Sequence, residues 1–197
     1  MLVNHSYQKL NVMLVDSGAD GARMENALKE ERFNYIKFPY GPLFISLVKE
    51  TRPDIIILDL DFPTDQLLSE LRLLCQELPL PTLMFIRDDN VETINKAIQA
   101  EVSVLIVKGM EVHRLGSVIA LALARFKQHQ ALKTALEKAR LQLEDRKQID
   151  RAKAILIKAQ NFSEDQAYHT LRKLAMDRNI TLGEMARNVI AMAELLK

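Results

Sequence analysis

With one cysteine, Cys75, in 197 residues, the chain can form no intramolecular disulfide and no cysteine-built zinc site. Long apolar runs are missing too. Ile55–Leu58 and the stretch around Val118–Leu123 fall far short of the roughly 20 residues that span a bilayer. Met1–Leu10 lacks the basic, apolar, small-residue order of a secretory leader. The expected compartment is the cytoplasm, with no membrane partner. The four histidines, His5, His113, His129 and His169, are scattered, and no nucleophile stands at a useful spacing from a base, which argues against an enzyme. Glycine and proline are scarce, six of each, and neither occurs between Ser117 and Gln160.

Apolar residues make up 48% of the chain, enough for a sizeable core. The net charge of +1 hides an asymmetry: Met1–His113 holds 11 Lys and Arg against 17 Asp and Glu, and Arg114–Lys197 holds 16 against 9. Such a split suggests that the second half meets a polyanion; a basic, solvated helical surface is the plainer reading.

Strand and helix patterns alternate through the first half. Asn11–Val15, Tyr35–Phe38, Ile55–Asp59, Thr82–Ile86 and Val102–Val107 read as strands. Ala19–Glu31, Leu43–Glu50, Asp65–Glu77 and Val91–Glu101 read as helices. Five strands separated by helices predict an α/β fold with a five-stranded, doubly wound parallel sheet, whose chemistry lies beyond the carboxyl ends of the strands. Those ends carry Asp16, Asp59 and Lys108.

From Ser117 a helical pattern runs unbroken to about Gln160. Ile119, Ala122, Phe126, Leu132, Leu136, Ala139 and Leu143 recur at spacings of three and four, interrupted near His129. A seam of this kind would lie in water on a lone helix, so a homodimer through a parallel coiled coil is expected. The alternative is packing back onto the first domain, which is the reading for the first turns, Val118 to Leu123. Ser163 with Gln166, and Thr181 with Glu184, have the spacing of capping boxes, so helices should begin there and run over roughly Glu164–Met176 and Leu182–Leu196. Three short helices in about 55 residues make a marginal core, which again favours a partner chain.

The first half resembles the receiver domain of response regulators, a flavodoxin-like fold, over residues 10–123. In "RPDIIILDLDFP" Asp59 stands at the phosphoacceptor position with Pro63 four residues on; Lys108 matches the phosphate-pairing lysine, and Asp16 the first metal-binding acid. The departures are Ser17 in place of the second acid, Ile86 in place of a hydroxyl residue, and Gly109 after Lys108 where proline is typical. Magnesium is a hard cation that wants oxygen ligands, so these changes point to a pseudo-receiver. Its pocket, Asp16, Ser17, Asp59, Ile86 and Lys108, is then degenerate, with Asp59 unphosphorylated and ion-paired to Lys108. No cofactor is expected, weak Mg²⁺ binding aided by Asp61 aside. A phosphorylation-dependent two-component regulator with a nucleic-acid-binding output is the alternative.

The C-terminal segment "LEDRKQIDRAKAILIKAQNFSEDQAYHTLRKLAMDRNITLGEMARNVIAMAELL" resembles the ANTAR family, the antiterminator module of certain response regulators. It begins at Leu143, overlapping a coiled-coil linker over 117–145, and runs as a three-helix module to 197; Ala154 and Ile157 stand where Gly and Met are usual. The resemblance implies dimeric binding of paired hairpins in a leader mRNA, which prevents the terminator stem from forming. Candidate RNA contacts are Arg146, Lys147, Arg151, Lys153, Lys158, Arg172, Lys173 and Arg178. Helical spacing puts Lys147, Arg151 and Lys158 on one face, with Arg146 and Lys153 about a third of a turn round. Tyr168 is either a stacking platform for an unpaired base or a core residue packed with Leu171 and Leu156. The closing "VIAMAELL" and the degenerate receiver resemble nitrate/nitrite-assimilation antiterminators of NasT type, with the AmiR type next; this implies control by a ligand-sensing partner protein, of nitrate or nitrite. Output to DNA finds less support, because the last helix offers only Arg187 and Asn188 as base-reading side chains.

Overall fold

The computed structural model describes residues 10–16, 21–108 and 114–195. Five strands, β1 (Asn11–Asp16), β2 (Asn34–Pro39), β3 (Ile55–Leu60), β4 (Thr82–Ile86) and β5 (Val104–Val107), form one parallel sheet in the order β2-β1-β3-β4-β5. The crossovers are α1 (Gly21–Glu30), α2 (Phe44–Thr51), α3 (Asp65–Glu77) and α4 (Val91–Gln99). Then come α5 (Leu115–Gln160), α6 (Glu164–Asp177) and α7 (Leu182–Leu195). Compact packing divides the chain into a unit up to Gln130 and a second from Ala131 on, the division falling within α5.

The period of two in the strands explains the layers. Ile56 and Leu58 of β3, with Met13, Val15 and Met84, face Phe44 and Val48 of α2 and Leu67, Leu71 and Leu74 of α3. Ile55 and Ile57, with Val12, Leu14 and Phe85, face Leu28 of α1 and Leu115, Ile119 and Ala122 of α5. The first turns of α5 therefore belong to the sheet's own core, as expected for Val118 to Leu123, and Glu31 accepts a hydrogen bond from the backbone N–H of Gly116 at 3.0 Å. His129 faces the first unit, its Nδ1 3.8 Å from Glu101, which accounts for the interruption in the apolar spacing. Beyond it, every residue from Ala131 to Glu144 is exposed, and Leu136 retains 71% of its accessible surface. Among the described residues no helix is long and apolar enough to cross a membrane.

The second unit is a three-helix core. Ala152 of α5, Leu171 and Ala175 of α6, and Met185, Ala186 and Ile190 of α7 are buried together, with Ile149, Ile155 and Leu156 packed against them. Both expected capping boxes form. Ser163 Oγ accepts from Gln166 N–H at 3.2 Å while Ser163 N–H donates to Gln166 Oε1 at 2.9 Å. The same reciprocity links Thr181 and Glu184 at 3.2 and 2.8 Å. Asn161 and Asn179 take left-handed backbone after α5 and α6, a conformation that asparagine tolerates better than most side chains.

Small residues let the helices approach. A Cβ on Gly183 would lie 2.3 Å from Asp145 Oδ1, the oxygen to which Arg187 donates at 2.7 Å. Gly183→Ala is expected to displace the Asp145 carboxylate and break that bridge, at a cost of no more than about 1 kcal/mol in urea unfolding. A second expectation concerns acid. The Glu184 carboxyl is held below its ordinary value of 4.5, first by the Thr181 backbone N–H and then by the Thr181 hydroxyl. With the folded-state value depressed, the stabilisation is present above that pH and is lost as pH falls through the folded value. Thermal melts across acidic pH should show Glu184→Gln losing less stability than the parent chain.

Candidate functional site

Two sets of side chains come together, one in each unit. At the carboxyl edge of the sheet, Asp16 ends β1 and is the register partner of Asp59 on β3; Ile86 ends β4 opposite Val107, and Lys108 follows β5 with a positive φ of 62°. The topology thus gathers Asp16, Asp59, Ile86 and Lys108 as expected. Ser17 and Gly109 lie outside the described residues.

The pairing at this edge differs from the expectation. The Lys108 ammonium meets Asp89, from the loop before α4, in place of Asp59, and holds the Asp89 carboxyl below the usual range. Lys108 takes left-handed backbone, and Asp88 and Asp89 lie in the loop between β4 and α4, features that strand periodicity does not show. Asp16, only 4% exposed, has its Oδ2 2.8 Å from the Nζ of Lys37 on β2. That oxygen makes no well-aligned hydrogen bond, so the contact is an ion pair. Lys37 lies 3.5 Å from Glu25, whose carboxyl is pulled down to about 2 by hydrogen bonds from Lys29 and then from the Tyr35 hydroxyl. Asp61 faces the Arg87 guanidinium at 3.1 Å. Sequence reasoning missed Lys37, Arg87 and Asp89; a lysine at the fourth residue of a short edge strand was the one available signal.

These partners test whether a divalent ion fits. Magnesium needs several oxygens at about 2.1 Å. Asp16 is engaged by an ammonium and Asp61 by a guanidinium, and Ile86 offers no oxygen. Among the described residues no group of three or more His, Cys, Asp or Glu side chains is placed to hold a metal ion. As they are paired, Asp16, Asp61 and Ile86 do not supply the oxygen set that magnesium needs.

In the second unit the structure sorts the basic residues. Lys153, its side chain 16% exposed, bridges Asp150 at 2.8 Å and Glu164 at 2.9 Å, tying α5 to the start of α6. Arg151 bridges Glu194 of α7 at 2.7 Å. Arg146 lends charge to Asp150. Lys147, Lys158, Arg172, Lys173 and Arg178 are exposed and make no ion pair with another described residue. Tyr168 is 39% exposed and stands outside the core of Leu171 and its neighbours; its ring meets His169 edge-on, with centroids 6.2 Å apart. The core reading of Tyr168 therefore fails, because Ala167 takes the buried position next to it. Tyr168, Arg172 and Met176 follow at intervals of four along α6, all exposed, so ring, guanidinium and thioether form one outward strip.

Residues 137–190 match the ANTAR domain family model. The chain thus carries an ANTAR domain behind a receiver-like domain. It is similar to the transcriptional regulatory protein PdtaR of Mycobacterium tuberculosis, 24% identical over 164 residues, which are 83% of this chain and 80% of that protein. It is also similar to the nitrate regulatory protein of Klebsiella oxytoca, 43% identical over 53 residues; these are 27% of this chain and 13% of that protein. Among solved structures, the signal receiver domain of a modulated diguanylate cyclase from Desulfovibrio desulfuricans matches with a TM-score of 0.53 at 19% identity, over 61% of this chain and 98% of the other. A response regulator from Thermotoga maritima matches at 0.52 and 18%, over 59% and 98%. These two likenesses carry the fold alone.

The sorting of the cations is testable without RNA. Lys153→Ala should destabilise the three-helix unit by about 1–2 kcal/mol, and Lys158→Ala should leave its melting temperature unchanged.

Proposed function

We propose that this chain, an ANTAR-domain protein with a receiver fold, is a transcription antiterminator that acts on leader mRNA in the cytoplasm. As a homodimer it binds two linked hairpins, keeps the competing terminator stem from forming, and so lets RNA polymerase continue. The observation that carries this reading is the exposed strip of Tyr168, Arg172 and Met176, together with exposed cations on α5 and α6 that make no ion pair with another described residue. Unpaired loop bases stack on aromatic rings and guanidinium planes, and phosphates are neutralised by lysine and arginine, so a stem with an open loop fits both parts. The contacts with RNA are then Lys147, Lys158, Tyr168, Arg172, Lys173 and Arg178, with Arg146 at their margin. Lys153 and Arg151 hold the helices that present them.

The exposed leucines of α5 supply the pairing. Leu132, Leu136, Ala139 and Leu143 follow a three-four spacing, and a second copy of the same seam would cover them as a coiled coil. Two weak modules joined in this way hold linked hairpins through effective concentration, without any further contact. The receiver-like domain governs their availability through contact with a ligand-sensing protein. The name of the Klebsiella oxytoca relative, a nitrate regulatory protein, supports nitrate as the ligand sensed.

Gel shifts with tandem-hairpin leader RNA and with matching duplex DNA test the reading; binding of RNA over DNA is expected. Tyr168→Ala should weaken binding by about 1–3 kcal/mol, the worth of one stacked base. Lys158→Ala should reduce the salt dependence by roughly one phosphate's share for every RNA tried. Leu136→Asp with Leu143→Asp should abolish tandem-hairpin binding and leave faint binding of a single hairpin; equal loss for both RNAs would reject the dimeric clamp.

A further inference from the structure

The receiver-like edge shows a second device, independent of what the C-terminal helices bind. Asp16 and Asp59 are register partners on adjacent strands, which stand about 4.8 Å apart. As register partners the two acids share one face of the sheet, and Asp16 is nearly fully buried, so a charge there needs a neighbouring cation. Lys37 provides it. On β2 this residue is the register partner of Leu14, two residues before Asp16. Its stem spans that interval along the strand and brings Nζ to 2.8 Å from Asp16 Oδ2. Glu25, 3.5 Å from the same ammonium and itself bonded to Lys29 and Tyr35, steadies it from α1.

We propose that Lys37 is a built-in counter-cation that holds the place a divalent metal takes in a metal-using receiver pocket. A metal on Asp16 would sit about 2.1 Å from a carboxylate oxygen, beside the ammonium, and like charge disfavours holding the two together. The second neutralised acid is Asp61, which Arg87 engages at 3.1 Å. The ammonium at Asp16 and the guanidinium at Asp61 thus neutralise both acids without a metal. Its use, leaving control to protein contact alone, rests on the partner-controlled reading of the chain; the counter-cation does not.

The test titrates the full-length chain with MnCl₂ and reads bound Mn²⁺ by electron paramagnetic resonance. The parent chain and Lys37→Arg should show no saturable site at millimolar Mn²⁺. Lys37→Met, which keeps the stem and removes the charge, should acquire one, with affinity raised at least about tenfold. Adding Asp16→Asn should remove it again. Equal binding by parent and Lys37→Met, no gain in Lys37→Met, or a gain that survives Asp16→Asn would overturn the proposal. Should Lys37→Met not fold, the ¹⁵Nζ resonance of Lys37 in the parent chain decides: it should persist in Mn²⁺, and selective broadening of it would overturn the proposal. Leader-RNA binding measured on the same parent sample judges the antiterminator reading separately.

Discussion

The hydrogen-bond ladder of α5 serves two cores at once. Leu115, Ile119 and Ala122 lie beneath the sheet, while Ile149, Ala152 and Leu156 build the three-helix unit. Neither proline nor glycine, the residues that most readily break a helix, occurs between Ser117 and Gln160. Every residue from Ala131 to Glu144, in the stretch between the cores, is exposed, its leucines among them. The three-helix core is correspondingly thin. Alanine at Ala152, Ala167 and Ala186 and glycine at Gly183 trade side-chain volume for close approach of the helices. Such a core leans on its caps and bridges more than a large one does.

Ion pairs divide the charged residues into those that hold structure and those left for a ligand. At the sheet edge, Lys37, Arg87 and Lys108 each face a carboxylate. With Asp16, Asp61 and Asp89 each beside a cation, the edge presents less charge for a metal or a phosphoryl group to work against. In the three-helix unit the balance is reversed: Lys153, Arg151 and Arg187 stitch the helices together, and five further cations face solvent without a carboxylate among the described residues. The same residue types therefore act in opposite ways in the two units, according to the carboxylates within their reach.

Much of the fold was legible in the chain. The strands of β3 and β4, the span of α3 and both C-terminal capping boxes follow from periodicity and cap chemistry, which are local. Element ends moved by a residue or two; β5, expected from Val102, begins at Val104. Val102 instead packs at the rim of the core, and Ser103 N–H donates to the Thr82 carbonyl before the ladder starts. The edge residues were legible by position but not by partner, because an ion pair between Lys37 and Asp16 depends on the register of two strands that are separated in the chain by a helix.

The sequence alone determined the alternating α/β pattern, the unbroken long helix, its exposed seam and the charge difference between the halves. Each of these depends on residues within a few turns of one another, where backbone propensity and side-chain spacing act directly. Only the tertiary structure decided which acid Lys108 and Lys37 meet, that Lys153 and Arg151 are bridges, and that Tyr168 lies outside the core. Those outcomes depend on distances between elements remote in the chain, and a shift of a few ångströms separates an ion pair from a free charge.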